Sequence, residues 1–209
     1  MNNKISLLNK ECKEKKPQEV LKKVFSGHLN PVLTTNFRPY EVAILHLCIQ
    51  ISPNIKVVWC DSGYNTEATY KYAKKIIVEL GLNIKLYKPL KTSQYYDMPS
   101  DKIPEINDPQ HEIFTEEVKL EPFRRAMSEL KPDLWITNLR KGQTNFRDSL
   151  DIFTESEDGL LKVSPFYYWT DFDLDNYMKE NELENEYDYF DPTKVDDKRE
   201  CGLHNKGSK

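Results

Sequence analysis

Glycine is scarce. Seven of the 209 residues are Gly, about half of the usual share of roughly 7%. A glycine-rich loop around phosphate is therefore no default expectation, and any phosphate-binding segment has to be argued residue by residue. Cysteine is sparse and unpatterned. Cys12, Cys48, Cys60 and Cys201 form no Cys-x-x-Cys and no pair at zinc-ligand spacing. Four thiols so placed are not a disulfide framework. Long apolar runs are missing. The longest, around Val42–Ile51, is interrupted by His46 and Gln50 and is too short to span a bilayer. The N-terminal MNNKISLLNKECKEKK lacks the apolar region of a signal peptide, so the cytoplasm is the expected compartment. Positive charge is not in excess either. A net charge of -4 argues against bulk binding to nucleic acid or an anionic membrane, though it leaves room for a local basic site that holds a small anion. His111-Glu112 opens like a zinc-protease helix, but Thr115 stands four residues after His111, so no such metal site forms.

What is present describes a soluble, charge-rich chain, 38% hydrophobic and 31% charged. Its length suits one domain, or one domain with a sizeable appendage. Pro17–Phe25 reads as a short helix, with Val20, Leu21, Val24 and Phe25 on one face and Gly27 as a stop. Pro31–Thr35 reads as a strand and Pro39–Ile51 as an apolar helix. Lys56–Cys60 (KVVWC) is a continuous β-rich run, as in a strand buried on both faces. Thr66–Leu80 is an amphipathic helix with Gly81 after it, and Asn83–Tyr87 is the next strand. The stretch from Lys88 to Pro109 reads as loop. Glu116–Leu130 reads as a helix that Pro122 must kink or restart. Leu134–Thr137 and Leu161–Val163 read as strands and Asp171–Glu180 as a helix with an acidic first turn. Strand and helix alternate from Pro31 to Thr137 with short connections. That predicts an α/β fold of βαβ units with a parallel sheet covered on both faces. Three parts are expected: a helical segment over 1–28, an α/β domain over 29–180, and an arm over 181–209. Acids dominate the arm and aliphatic residues are few in it, so it reads as mobile or conditionally ordered.

Ligands of a parallel α/β sheet bind beyond the carboxyl ends of its strands. Three segments fall there. Thr34, Thr35 and Asn36, followed by Phe37 and Arg38, offer hydroxyls, backbone N–H groups and a helix N-terminus to an anionic oxygen. An ordinary N-cap loop is the plainer reading. Asp61 and Gly63, in Asp61-Ser62-Gly63-Tyr64, place an acid at a strand end where a ribose could meet it. A simple turn explains them equally well. Asn138–Arg147 holds Arg140, Lys141 and Arg147 beside Gln143, three cations in eight residues of a net acidic chain. Lys119, Arg124 and Arg125 lie on the preceding helix. In the tail, Lys198 and Arg199 precede Cys201 and His204 follows it. Cations favour the thiolate, the nucleophilic form. An unperturbed thiol, pKa about 8.5, is only a few per cent thiolate at neutral pH, and a fall of about one to two units makes a quarter or more of it reactive. A low-pKa Cys on a mobile arm over an anion site suits a nucleophile that must also meet a second protein.

The same residues carry a family resemblance. The terminal ECGLH (Glu200–His204) resembles the signature of the sulfonucleotide reductases, the phosphoadenylyl-sulfate (PAPS) and adenylyl-sulfate (APS) reductases. VLTTNF (Val32–Phe37) is similar to their VLSSSF-type phosphate loop. CDSGY with Glu67, Thr69 and Tyr70 is similar to DTGY…ETY, and KLEP (Lys119–Pro122) to KVEP. NLRKGQTNFR (Asn138–Arg147) resembles GLRREQSxxR, and LKVSPFYYWT (Leu161–Thr170) resembles KVxPIxDW. The likeness runs from about Leu29 to His204. Arg38-Pro39 stand where the family commonly has Gly after Phe, and the basic pair usual before the tail is missing from FDPTKVDDKRECGLH, where Lys194, Lys198 or Arg199 are the available substitutes.

The resemblance implies an adenine-nucleotide α-hydrolase-like (Rossmann-like) parallel-sheet domain with a mobile C-terminal catalytic tail. It implies that Cys201 attacks the sulfonate sulfur of PAPS, with release of adenosine 3′,5′-bisphosphate, and that thioredoxin or glutaredoxin then frees sulfite for assimilation. His204 would contact the phosphosulfate, and Lys119 and Arg147 would neutralise its oxygens. Thr34, Thr35 and Asn36 would line the nucleotide site, with Asp61, Gly63, Arg140 and Gln143 as further contacts. Cluster-bearing APS reductases carry a Cys pair just before the Lys119 position. Here Phe114 and Thr115 stand there, the second Cys-x-x-Cys segment is absent, and only Cys201 matches a family cysteine. A [4Fe–4S] cluster is therefore not expected, which favours PAPS. The alternatives are a cluster-free APS reductase and a catalytically weak sulfonucleotide-binding protein. The expected partners are PAPS and the small redox protein, with no nucleic acid and no membrane. The family often forms homodimers, and nothing in this chain decides that point.

Overall fold

The computed structural model describes residues 3–97 and 103–194. Six strands, β1 (Pro31–Thr35), β2 (Lys56–Cys60), β3 (Asn83–Tyr87), β4 (Leu134–Ile136), β5 (Phe153–Glu155) and β6 (Leu161–Val163), make one sheet in the order β3-β2-β1-β4-β6-β5. Pairing is parallel throughout except for β5 on β6, which is antiparallel. The helices are α1 (Asn3–Cys12), α2 (Pro17–Phe25), α3 (Glu41–Ile51), α4 (Glu67–Glu79), α5 (Ser93–Asp97), α6 (Pro109–Thr115), α7 (Glu121–Leu130), α8 (Asn145–Asp148) and α9 (Asp171–Glu180).

The short runs of β1, β2 and β4 form strands because both of their faces are covered. On one face Leu33, Val57, Trp59 and Ile136 join the main core with α2, α3, α4 and α9. On the other, Val32, Val58, Tyr87 and Trp135 pack against Ala126 of α7. This is the two-sided burial expected of a parallel sheet. The chain runs β1, β2, β3 outward on one side and then crosses to β4 on the other side of β1. The order therefore reverses between β1 and β4, and a crevice at their carboxyl ends is the natural ligand site. Among the described residues no helix is long and apolar enough to cross a membrane.

Several details differ from the sequence reading. The loop between Lys88 and Pro109 carries the short helix α5. Helix α3 begins at Glu41 because Tyr40 adopts a left-handed conformation (φ 69°). Pro122 neither kinks a continuous α-helix nor simply starts one. A π-helical turn, Glu116–Leu120, joins α6 to α7, and Pro122 sits in the first turn of α7, where its missing N–H costs little. Strand β5 has no counterpart in the reading. Asn9 of α1 holds its edge, donating to the Phe153 carbonyl at 2.9 Å and accepting from the Phe153 amide at 2.7 Å. Ile5, Cys12, Val20 and Leu21 of the N-terminal segment belong to the main core.

The described part of the acidic arm, up to Lys194, lies against the body. Asn185 accepts from the Tyr40 amide at 2.9 Å, and the Glu184 carbonyl from the Tyr72 hydroxyl at 2.8 Å. The Asp188 carbonyl accepts from Thr66 and Thr69 at 2.7 and 2.9 Å. Tyr187 packs edge-on against Tyr40. Counting aliphatic residues misses this docking because polar donors around the N-terminal part of α4 supply the contacts.

Candidate functional site

The crevice between β1 and β4 is lined by Thr34, Thr35, Asn36, Arg38 and Glu41 from the β1–α3 connection. Val58 and Cys60 of β2, Lys119 of the π-helical turn and Phe123 of α7 form another wall. Trp135, Thr137, Asn138, Leu139 and Arg147 come from β4 and the segment after it, and Asp191 and Lys194 from the arm. Five of the expected substrate contacts thus converge, Thr34, Thr35, Asn36, Lys119 and Arg147, together with Arg38, Asn138 and Lys194, which the sequence segments also contained.

Each is held by neighbours. The Thr34 hydroxyl accepts from the Trp135 indole N–H at 3.0 Å. Thr35 donates to Glu41 at 2.6 Å, and the Asn36 amide N–H donates to the same carboxylate oxygen at 2.8 Å. Turned so that both its ends are satisfied, the Asn36 side chain donates to Glu41 at 3.0 and 3.1 Å and accepts from the Tyr189 hydroxyl at 2.6 Å. Arg147 is buried, and its guanidinium donates to the Gln143 side-chain oxygen at 2.5 Å. Lys119 forms an ion pair with Asp191 in which the side chains are only 12% and 7% exposed. It also donates to Thr193 at 3.1 Å. Burial alone would raise the Asp191 carboxyl. Lys119 and the hydroxyl and amide of Thr193 outweigh that and hold it below its ordinary range.

Cys60 is a wall residue of another kind. Burial pushes its thiol up to about 12, against the partial pull of Lys119 and Arg125. It is therefore a protonated, inert surface at neutral pH. The buried Oδ1 of Asn138 has no hydrogen-bond partner among the described residues, which leaves an acceptor in the wall for a ligand donor.

The other sequence candidates lie elsewhere. Arg140 stands behind the crevice, paired with Asp171 at 2.7 Å and stacked over Tyr40. Gln143 accepts from the Arg140 amide at 3.0 Å as well as from Arg147, so it orients a wall residue without lining the wall. Asp61 is the hub of a turn. It accepts from the Gly63 amide at 3.0 Å, Asn65 at 2.9 Å and Tyr70 at 2.8 Å. Gly63 has φ 83°, a conformation suited to glycine. Neither Asp61 nor Gly63 lines the crevice. Arg124 and Arg125 are paired with Glu116 and Glu121. Cys201 and His204 lie outside the described residues.

Sequence reasoning missed Glu41 and Asp191, and it named Asn138 only as the first residue of a candidate segment. Glu41 carried a weak signal, an acid in the first turn of a helix that follows a candidate anion loop. Asp191 carried none, because its meaning comes from Lys119, 72 residues away.

Comparison with known proteins agrees with this geometry. Residues 30–188 match the phosphoadenosine phosphosulfate reductase domain model. A phosphoadenosine 5′-phosphosulfate reductase of Xylella fastidiosa is 33% identical over 157 residues, 75% of this chain and 66% of that protein. A Xanthomonas euvesicatoria protein of the same name is 31% identical over 157 residues, 75% of this chain and 65% of its own length. The matched part thus spans just under two thirds of these relatives. In three dimensions the chain is similar to the phosphoadenylyl-sulfate reductase of Candida auris, solved as a phosphate complex. That likeness has a TM-score of 0.77 and 25% identity, over 88% of this chain and 89% of that one. The sheet is of the adenine-nucleotide α-hydrolase-like type. From these motifs in one crevice, and from a match over most of its length, the chain belongs to the phosphoadenosine phosphosulfate reductase domain family.

Proposed function

We propose that this chain reduces PAPS to sulfite and adenosine 3′,5′-bisphosphate, with Cys201 as the nucleophile and thioredoxin or glutaredoxin as the electron donor. The observation that carries this reading is the convergence of Lys119 and Arg147 with Thr34–Asn36 at the strand-order reversal of a family member. Two cations in a partly dry crevice suit the transfer of a sulfonate group. As the sulfur–oxygen bond breaks, negative charge grows on the leaving phosphate oxygen, and fixed cations stabilise that change.

The steps balance. The Cys201 thiolate attacks the sulfonate sulfur, a sulfur–sulfur bond forms, and the sulfur–oxygen electron pair leaves on adenosine 3′,5′-bisphosphate. A thiolate of the reduced partner then attacks the Cys201 sulfur and expels sulfite as a mixed disulfide forms. The partner's second thiol resolves that disulfide, which oxidises the partner and restores Cys201. No resident cofactor enters this scheme. Phe114 and Thr115 stand where cluster-bearing relatives carry a Cys pair, so the residues do not fit an iron–sulfur cluster.

Asp191 has a definite part in this reading. It sits on Lys119 where an anionic oxygen of the substrate would sit, so substrate entry exchanges one anion for another. The reading is tested by incubation with PAPS and reduced thioredoxin, with sulfite measured. Sulfite from the wild type and none from Cys201→Ser supports it. Equal output from the two, or none from either, sinks it. The same assay with APS in place of PAPS decides the substrate, and a preference for APS overturns the PAPS assignment.

A further inference from the structure

Two carboxylates line the crevice, and they are held very differently. Asp191 belongs to an irregular arm. Glu41 is the first residue of α3, a helix whose apolar side chains lie in the main core, and it is 6% exposed. Glu41 takes donors that a phosphate would otherwise use. Its Oε2 accepts from the Asn36 amide and the Thr35 hydroxyl, and its Oε1 faces the Arg38 guanidinium at 3.2 Å. It also places a fixed negative charge at the α3 N-terminus, where the helix dipole favours an anion. The next donor of the loop, the Phe37 amide, is taken by the Thr35 hydroxyl at 3.1 Å. The loop therefore arrives with its anion already built in.

We propose that Glu41 is a positioning and specificity residue. It organises the glycine-free loop, and it keeps a ligand's anionic group off that loop and on the wall of Lys119 and Arg147. Asp191 can leave with its arm, whereas Glu41 sits on a helix of the core and is tied to the loop by Thr35, Asn36 and Arg38. A ligand's charged end is thus directed to one side of the crevice. The loop side is left for an uncharged part of the ligand, such as sugar hydroxyls. This inference rests on reading the crevice as an anion site, but its test uses inorganic anions, so a failed sulfite assay leaves it open to separate judgement.

The test is calorimetric titration with inorganic pyrophosphate of the wild type, Glu41→Gln and Glu41→Asp. Gln keeps an acceptor for the Asn36 amide and removes the charge. Affinity for pyrophosphate should rise about tenfold in Glu41→Gln and stay low in Glu41→Asp. A merely structural role lowers affinity in both variants, and unchanged or weaker binding by Glu41→Gln overturns the proposal. A second measurement needs no variant. In wild-type crystals soaked with inorganic phosphate, the anion should lie against Lys119 and Arg147. Phosphate on the Asn36 amide N–H overturns the proposal whether or not the variants fold.

Discussion

Replacing Asp191 by Asn separates the two tasks of the arm, covering the crevice and giving way to a ligand. The amide keeps the shape and one acceptor for Lys119 but removes the charge. The Lys119–Asp191 pair is nearly dry. Removing one partner of a buried pair outright costs about 3–5 kcal/mol. An isosteric amide retains a hydrogen bond, so the loss here should be about 1–2 kcal/mol. In the wild type that same energy opposes any ligand that must take Lys119. The variant starts with the opposition gone. The Kd of adenosine 3′,5′-bisphosphate should therefore fall by about 1–2 kcal/mol, roughly 5- to 30-fold.

Calorimetry at fixed ionic strength reads the affinity, and hydrogen exchange of the 181–194 segment reads the arm. Ligand should deprotect this segment in the wild type. In Asp191→Asn it should be less protected from the start. Weaker binding by the variant would refute the reasoning. It would mean that Asp191 stays on Lys119 in the complex and serves to aim the ammonium group.

Three further outcomes follow from the same structure. The Asp191 carboxyl is held below its ordinary value of about 3.9, so its contribution to arm docking is complete above about pH 4 and is lost as pH falls through the depressed folded value. Exchange in 181–194 should accelerate only in that acid window, and a transition near neutrality would point to another group. Among the described cysteines, burial raises the thiols of Cys12, Cys48 and Cys60, the last to about 12. Labelling at pH 7 should show one fast thiol that disappears in Cys201→Ser, and a fast thiol that survives in that variant contradicts this. Asn9→Ala strips both buried hydrogen bonds from the outer edge of β5. It should cost about 2–3 kcal/mol, seen as a fall in Tm of about 5–10 °C, and an unchanged Tm would mean that the strand does not need this clasp.

Much of the sheet was legible because its first three strands are chemically simple. PVLTT, KVVWC and NIKLY announce themselves by β-rich composition, and the structure places β1, β2 and β3 on those residues. Strand β5 is three residues, FTE, on an edge, and its clasp comes from Asn9, 144 positions away. No local pattern encodes that. The crevice divides in the same manner. Thr34–Asn36 and Arg147 follow strands directly, so the rule about carboxyl ends finds them. Lys119 needed the family likeness, because a cation in a predicted helix is ordinarily solvated. What buries it is a π-helical turn and an arm that the composition gives no reason to fold back.

The scarcity of glycine acquires a mechanical sense in the β1–α3 loop. Phe37 and Tyr40 adopt φ of 56° and 69°, where an L-residue is strained by roughly 1–2 kcal/mol. Glycine would remove that strain and also loosen the loop. Instead Phe37 is buried edge-on against Trp59, Tyr40 lies under Arg140 and against Tyr187, and Glu41 ties Thr35, Asn36 and Arg38 together. The loop is rigid because its neighbours over-determine it. The arm, by contrast, is held to the body mostly by polar contacts. Cys201 follows Asp191 by ten residues, at most about 35 Å of extended chain. An anion that displaces Asp191 from Lys119 therefore also loosens the tether of the proposed nucleophile. On the proposed reading, ligand entry and arm release are then a single event.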